Sequence, residues 1–197
     1  MKFPTTYKCL VHNEFAKEKY KIVPLRYEDR TEIMTWRNEQ MYHLRQAELL
    51  TPKVQDTYFD TTVAALFDQD KPSQILFSYL KDNVCIGYGG LVHINWVDKN
   101  AEISFVLKTE LEKEEFGLHW TNYLGLIEKL AFKELFLHKI FTYAFDLRPH
   151  LYKVLEGNGY KKEAVLEEHC FFQDSYIDVY IHEKRNGFLL QKLKKEH

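Results

Sequence analysis

The stretch Val84-Cys85-Ile86-Gly87-Tyr88-Gly89-Gly90-Leu91-Val92-His93-Ile94-Asn95-Trp96, followed by Val97-Asp98-Lys99-Asn100 and Ala101-Glu102-Ile103-Ser104-Phe105-Val106-Leu107, reads as two strands folded back on each other. The polar Asp98-Lys99-Asn100 is the turn. In the second strand the two-residue period puts Ile103, Phe105 and Leu107 on one face and Glu102, Ser104 and Val106 on the other. In the first strand it puts Leu91, His93 and Asn95 together. Gly87, Gly89 and Gly90 interrupt that strand, which signals a bulge or a close backbone approach. Upstream, Gln74 to Lys81 joins it through a tight Asp82-Asn83 turn, a third antiparallel strand.

Downstream, Gly117 to Phe136 carries Trp120, Leu124, Ile127, Ala131 and Leu135 at helical spacing, an amphipathic stripe. Lys139 to Phe145 is an apolar strand of the buried type. Leu151 to Leu155 suits a short helix stopped by Gly157-Asn158-Gly159. Tyr160 to Phe171 and Tyr176 to His182 read as closing strands, and a basic, helical tail is expected from Glu183. Toward the N-terminus, Tyr7 to His12 and Glu18 to Val23 read as a short hairpin ended by Pro24. Arg26 to Asn38 reads as a helix, and a second short one holds Met41 and Leu44. A further helix opens at Thr51-Pro52, with Thr51 as cap, and runs to about Phe67. The order predicts a mixed α/β (α+β) sheet with one parallel pair.

The chain has 197 residues, 28% charged and 45% hydrophobic, with 14 Phe, 13 Tyr and 3 Trp. That suits one packed domain and excludes global disorder. A formal charge of −2 argues against nucleic acid or an anionic membrane as partner. Cys9, Cys85 and Cys170 show neither disulfide nor metal-ligand spacing, so no metal is expected. No apolar run approaches the roughly 18 residues of a membrane span, and Met1 to Thr6 lacks a secretory apolar region. A cytoplasmic setting is expected.

Four features make this sequence similar to the GNAT family of N-acetyltransferases over about residues 20 to 182. Trp36-Arg37-Asn38 resembles the W-R-N signature of the RimJ/RimL-like branch. Ile86 to Leu91 resembles the family's third-strand I-G-x-x-x-L. Ala101 to Leu107 resembles its fourth strand. Leu155-Glu156-Gly157-Asn158-Gly159-Tyr160 resembles its L-E-K-x-G-F ending. The resemblance implies a GNAT fold: a mostly antiparallel sheet of about seven strands flanked by helices, extended here by an N-terminal β-hairpin. It divides the chain into an N-terminal extension (1–19), an acetyltransferase domain (20–183) and a basic tail (184–197).

The implied activity is transfer of an acetyl group from acetyl-CoA to a primary amine, by direct attack within a ternary complex. W-R-N and the clustered arginines favour a nucleotide-linked amino sugar as acceptor. Acetylation of a protein N-terminus, or a catalytically degraded module that only binds an acyl-CoA or a partner, are the alternatives. A homodimer is compatible with the resemblance. Two departures bear on the last alternative. The family's CoA loop, Q/R-x-x-G-x-G/A, falls on Glu114-Glu115-Phe116-Gly117-Leu118-His119, which keeps only Gly117 and places His119 where it would crowd a pyrophosphate cradled by backbone N–H groups. The family's tyrosine acid falls on Leu155, leaving Tyr152 one turn earlier as substitute.

By position, the resemblance implies Phe105, Val106, Leu107, Glu115, Phe116, Gly117, Leu118, Arg148 and His150 as CoA contacts. Lys108, Lys113 and Arg148 would offset the acids Glu112, Glu114 and Glu115. Glu102 is the first candidate for the general base and His93 the second, each with a plain structural alternative. Trp36, Arg37, Arg45 and Asn95 are the acceptor-site candidates, the arginines suiting an anionic group.

Overall fold

A computed structural model describes residues 2–44 and 46–187. Arg45 and the expected helical tail beyond 187 lie outside the described residues. Eight strands form one sheet in the order β1-β2-β3-β4-β5-β6-β8-β7. The strands are β1 (Phe15–Lys17), β2 (Tyr20–Pro24), β3 (Ile75–Lys81), β4 (Val84–Asn95), β5 (Asn100–Leu107), β6 (Lys139–Phe145), β7 (Lys161–Phe172) and β8 (Ser175–Arg185). Every pairing is antiparallel except β5 with β6. The helices are α1 (Arg30–Glu39), α2 (Pro52–Thr57), α3 (Ala64–Leu66), α4 (Thr109–Glu114), α5 (Phe116–Glu128) and α6 (Pro149–Gly157). A π-helical segment, Tyr58–Val63, joins α2 to α3, and another, Lys129–Glu134, extends α5.

Local chemistry accounts for most boundaries. The Thr51 hydroxyl accepts from Val54 N at the start of α2, with Pro52 in the first helical position. Asp82 and Asn83 both take positive φ, 50° and 68°, the paired left-handed geometry that a two-residue hairpin requires. Glu183 to Arg185, expected in the tail, instead complete β8 against β6.

Aromatic packing builds the core. Phe105 of β5 stacks on Tyr123 of α5 with centroids 3.8 Å apart, and Tyr79 of β3 meets both edge-on at 5.5 and 5.6 Å. Such pairs add about 0.5–1.5 kcal/mol each beyond burial. These contacts set α5, with α6 beside it, on one face of the sheet. On the other, Ser78 of β3 donates to Asp29 at 2.6 Å, and α1 lies over Tyr88 through Arg37.

Three expectations need correction. Residues 7 to 12 form turns, not a strand. Tyr7, 1% exposed, is inserted into the core and stacks on Phe67 at 4.1 Å. Its hydroxyl accepts from Leu76 N at 3.0 Å and donates to Leu76 O at 2.9 Å, so one phenol partners both backbone groups of Leu76, whose carbonyl also accepts from Leu25 N just past β2. The long helix is preceded by α4, whose acidic face carries no apolar stripe to announce it. Finally, β4 does not alternate to its end. Its register against β5 slips between Val92 and Asn95, and His93 takes φ 50°.

Candidate active site

The parallel pairing of β5 and β6 runs only from Asn100↔Lys139 to Glu102↔Phe141. Beyond that point β5 continues to Leu107 and β6 to Phe145 as separate walls. The fork between them opens a cleft of about 410 Å³, at the point where a buried parallel pair ends.

Glu102 stands at the crotch of this fork and His93 faces it from the bulge in β4. Both line the cleft. His93 Nδ1 lies 2.8 Å from Glu102 Oε2. An ionised carboxylate only accepts, so Nδ1 carries the proton of this bond, and in the neutral imidazole Nε2 is the nitrogen with the lone pair. The Glu102 side chain is 15% exposed and the imidazole 67%. The two residues that the sequence offered as rival bases therefore form one hydrogen-bonded pair. The bulge is the reason: it removes His93 from the face shared with Leu91 and turns it toward the neighbouring strand.

Arg37 lines the same cleft. It donates to Tyr88 Oη at 2.6 Å and to Gln46 Oε1 at 3.0 Å. Asn38 fixes the following loop: its Oδ1 accepts from Leu50 N at 2.8 Å and its Nδ2 donates to Leu50 O at 2.9 Å. Trp36 is only 5% exposed and belongs to the core, which corrects its assignment to the acceptor site. The third residue of that motif thus holds a loop, the second faces the cleft, and the first packs. Asn95 is corrected too. Its Oδ1 accepts from Val97 N at 3.0 Å and Asp98 N at 2.9 Å, an Asx turn that closes the β4–β5 hairpin outside the cleft.

The expected CoA contacts divide. Phe105 lines the cleft. Val106 and Leu107 bury their side chains, at 3% and 1% exposure, and Leu107 O accepts from Gln40 Nε2 at 2.7 Å. The CoA-loop stretch is largely helical, with a break at Glu115 between α4 and α5. Phe116, Gly117 and Leu118 form the first turn of α5, whose N–H groups have no partner within the helix. A Cβ on Gly117 would meet only Val154 Cγ2, at 3.7 Å, so glycine is not sterically demanded there. His119 does not crowd this turn. It is fully buried, edge-on to Tyr20 and Tyr79, with Nε2 3.3 Å from the Glu115 carboxylate.

Arg148 lines the cleft but is not a free cation. It donates to Glu112 Oε1 at 3.0 Å, with side chains 13% and 8% exposed. Burial pushes the Glu112 carboxyl up, and the Arg148 charge draws it partly back. Burial, then the Arg148 charge, push His43 down to about 3, so this imidazole is neutral. His150 packs edge-on against Phe116 at 4.3 Å and does not line the cleft. Tyr152 is turned away from it, a further correction. Its ring stacks on Tyr180 and His182 at 4.7 and 5.3 Å, and its hydroxyl donates to Asp146 Oδ1 at 3.1 Å. Burial, then the Asp146 carboxylate, push this phenol upward, further from service as an acid.

Two polar cleft-lining residues were not among the site candidates. Thr142 Oγ1 and His43 Nδ1 are buried without a hydrogen-bond partner. Orphaned polar atoms on a cavity wall suit a ligand that brings amide or hydroxyl groups. Thr142 had a signal, since it is the one polar residue at an inward position of β6 between Ile140 and Ala144. His43 had none. Among the described residues no three His, Cys, Asp or Glu converge as a metal site, and no helix is long and apolar enough to cross a membrane.

A family model described as an acetyltransferase (GNAT) domain matches residues 22–181. No curated protein matches the chain. Among solved structures, a spermidine N-acetyltransferase from Vibrio cholerae in complex with CoA and spermine aligns with a TM-score of 0.76 at 18% identity, over 88% of this chain and 99% of that one. A dodecameric spermidine N-acetyltransferase from Vibrio cholerae in an intermediate state gives 0.71 at 18% identity, over 89% and 99%. At that identity the likeness is one of fold.

Proposed function

This chain belongs to the GNAT acetyltransferase family, and from that premise we propose that it moves an acetyl group from acetyl-CoA to a primary amine, with His93 and Glu102 taking the proton. The observation that carries this reading is the 2.8 Å His93–Glu102 hydrogen bond on the wall of the β5–β6 fork. An alkylamine of pKa about 10.4 costs about 4.6 kcal/mol to deprotonate at pH 7, so an acceptor for its proton matters. The amine nitrogen attacks the thioester carbonyl, the N–C bond forms and the C–S bond breaks. The proton lost by nitrogen passes to His93 Nε2, and the Glu102 carboxylate steadies the resulting imidazolium. A thiol of pKa about 8.5 leaves without an acid, so the reaction does not need Tyr152.

The fork also suits the acyl donor. On its β6 side β5 has no strand beside it past Glu102, so that edge of its backbone can pair with a ligand's amides, and Thr142 and His43 have polar atoms to satisfy. The first turn of α5 offers N–H groups at the positive end of a 13-residue helix. The nucleotide-linked amino sugar is not carried forward. It rested on Trp36, which is core, on Arg45, which lies outside the described residues, and on Arg37 alone among the rest.

The test is thermal stabilisation by acetyl-CoA and by CoA, followed by thiol release with a panel of amines. Ligand at 100 times its Kd adds about 2.7 kcal/mol. If neither shifts the melt at millimolar concentration, the reading fails. Stabilisation without thiol release from any amine would leave a non-catalytic binding module in its place.

A further inference from the structure

The cleft does not end at the fork. A second groove of about 510 Å³ adjoins it, walled by Met41, Tyr42, Leu44, Gln46 and Ala47 on one side and the β7–β8 hairpin on the other, and Leu44, Tyr143 and Phe145 line both. Its other walls include Tyr42, Phe171, Phe172 and Ile177. Tyr42 is 47% exposed and Phe171 65%, so apolar rings stand at the rim with water on one side.

Among the described residues the charge along this path is sparse and close to balanced, which offers little to a polycation. No described residue lining the groove is an Asp or Glu. Glu102 is the sole carboxylate among the described residues lining the cleft, and it accepts from His93. Two guanidiniums line the cleft, Arg37 and Arg148. Glu112 neutralises Arg148. The hydrogen-bond partners of Arg37, Tyr88 Oη and Gln46 Oε1, carry no charge.

We infer that the acceptor is a monoamine on an aromatic or similarly apolar body, with the amine at His93 and the body in the Tyr42–Phe171 groove. The inference rests on the acetyl-transfer reading above. A polyamine with one nitrogen at His93 must place its other ammonium groups in a groove without carboxylates among its described residues, or beside Arg37. Each of those charges would give up water and gain no partner. An aryl group in the same place covers exposed ring surface, loses no charge hydration and stacks on aromatic edges. Discrimination therefore comes from repulsion and missing partners as much as from attraction.

Thiol release from acetyl-CoA is measured on the full chain with phenethylamine and with spermidine. The expected result is a kcat/KM for phenethylamine at least tenfold above that for spermidine. Phe171→Asp changes an exposed residue and puts a carboxylate at the groove rim. It is expected to raise KM for phenethylamine more than it lowers kcat, and to improve spermidine. Equal or better turnover of spermidine by the unaltered chain overturns the inference and leaves acetyl transfer standing. So does a Phe171→Asp protein whose KM for both amines is unchanged. No thiol release from either amine or from a wider panel, with CoA still raising the melting temperature, overturns both.

Discussion

His93 occupies a left-handed position, φ 50°, which few residues other than glycine adopt but which histidine tolerates better than most. It does so next to the strand end where Glu102 sits, and the two side chains meet at 2.8 Å. Glu102→Gln keeps the shape and removes the charge. It is expected to lower kcat by about 10²–10⁴, the range for impaired general-base catalysis, because glutamine cannot steady the His93 imidazolium, while stabilisation by acetyl-CoA stays as in the parent. Loss of that stabilisation instead would make Glu102 a binding residue. Arg148 and Glu112 answer to a different measurement. With both side chains largely buried, Arg148→Met strands a carboxylate. It should cost about 3 kcal/mol, read as a lower midpoint in denaturant melts, and Glu112→Gln made on top of it should recover part of the loss. Both catalytic candidates were legible in the sequence as single residues. Their partnership was not, because strict alternation along β4 pairs His93 with Asn95, and Asn95 turns out to close a hairpin.

At the scale of elements, the site exists because β5 and β6 pair for three residues and then part. β5 is held on its other side. Gly89 lets β4 approach so closely that an added Cβ would lie 2.0 Å from Ser104 O and 2.5 Å from Tyr123 Oη. Gly89→Ala must displace strand backbone and is expected to cost about 3 kcal/mol, seen as poor folding or a sharply lower melting temperature. Thr51→Ala removes only a cap and should cost about 1 kcal/mol. The glycine run, the hairpin turns, the Thr51-Pro52 start and β6 with its exact limits are all readable from local chemistry. α4 is not, since Glu110-Leu111-Glu112-Lys113-Glu114 shows no apolar stripe, and its tertiary ties include the Glu112–Arg148 pair and the hydrogen bonds of Thr109 with Glu39 and Gln40. His119 was misplaced for the related reason that a polar side chain in a helical first turn does not announce which way it faces.

Across the whole molecule, three histidines are buried and held below their ordinary pKa. His43 is pushed down to about 3 by burial and by Arg148. His119 and His182 are lowered chiefly by burial. The unfolded chain binds protons at these sites below about pH 6.5 while the folded chain does not, so stability is full above that pH and falls as pH drops toward the folded values. Between pH 7 and pH 5, His43 alone should remove about 2 kcal/mol. Glu112, raised by burial, acts in the opposite direction at the acid end. Denaturant melts at the two pH values should show the loss, and His43→Gln should shrink it by about that amount. An equal loss in the variant would clear His43 of the effect. The sequence by itself determined the kind of fold, through the hairpin turns, strand periodicities and amphipathic helices that local physics dictates, and it determined the family through motifs in order. Tertiary structure alone decided which candidates meet. The fork between β5 and β6, the bulge that swings His93 onto Glu102, the ion pair that neutralises Arg148 and the stacking that turns Tyr152 away all depend on contacts between residues far apart in the chain. No local period or propensity records them.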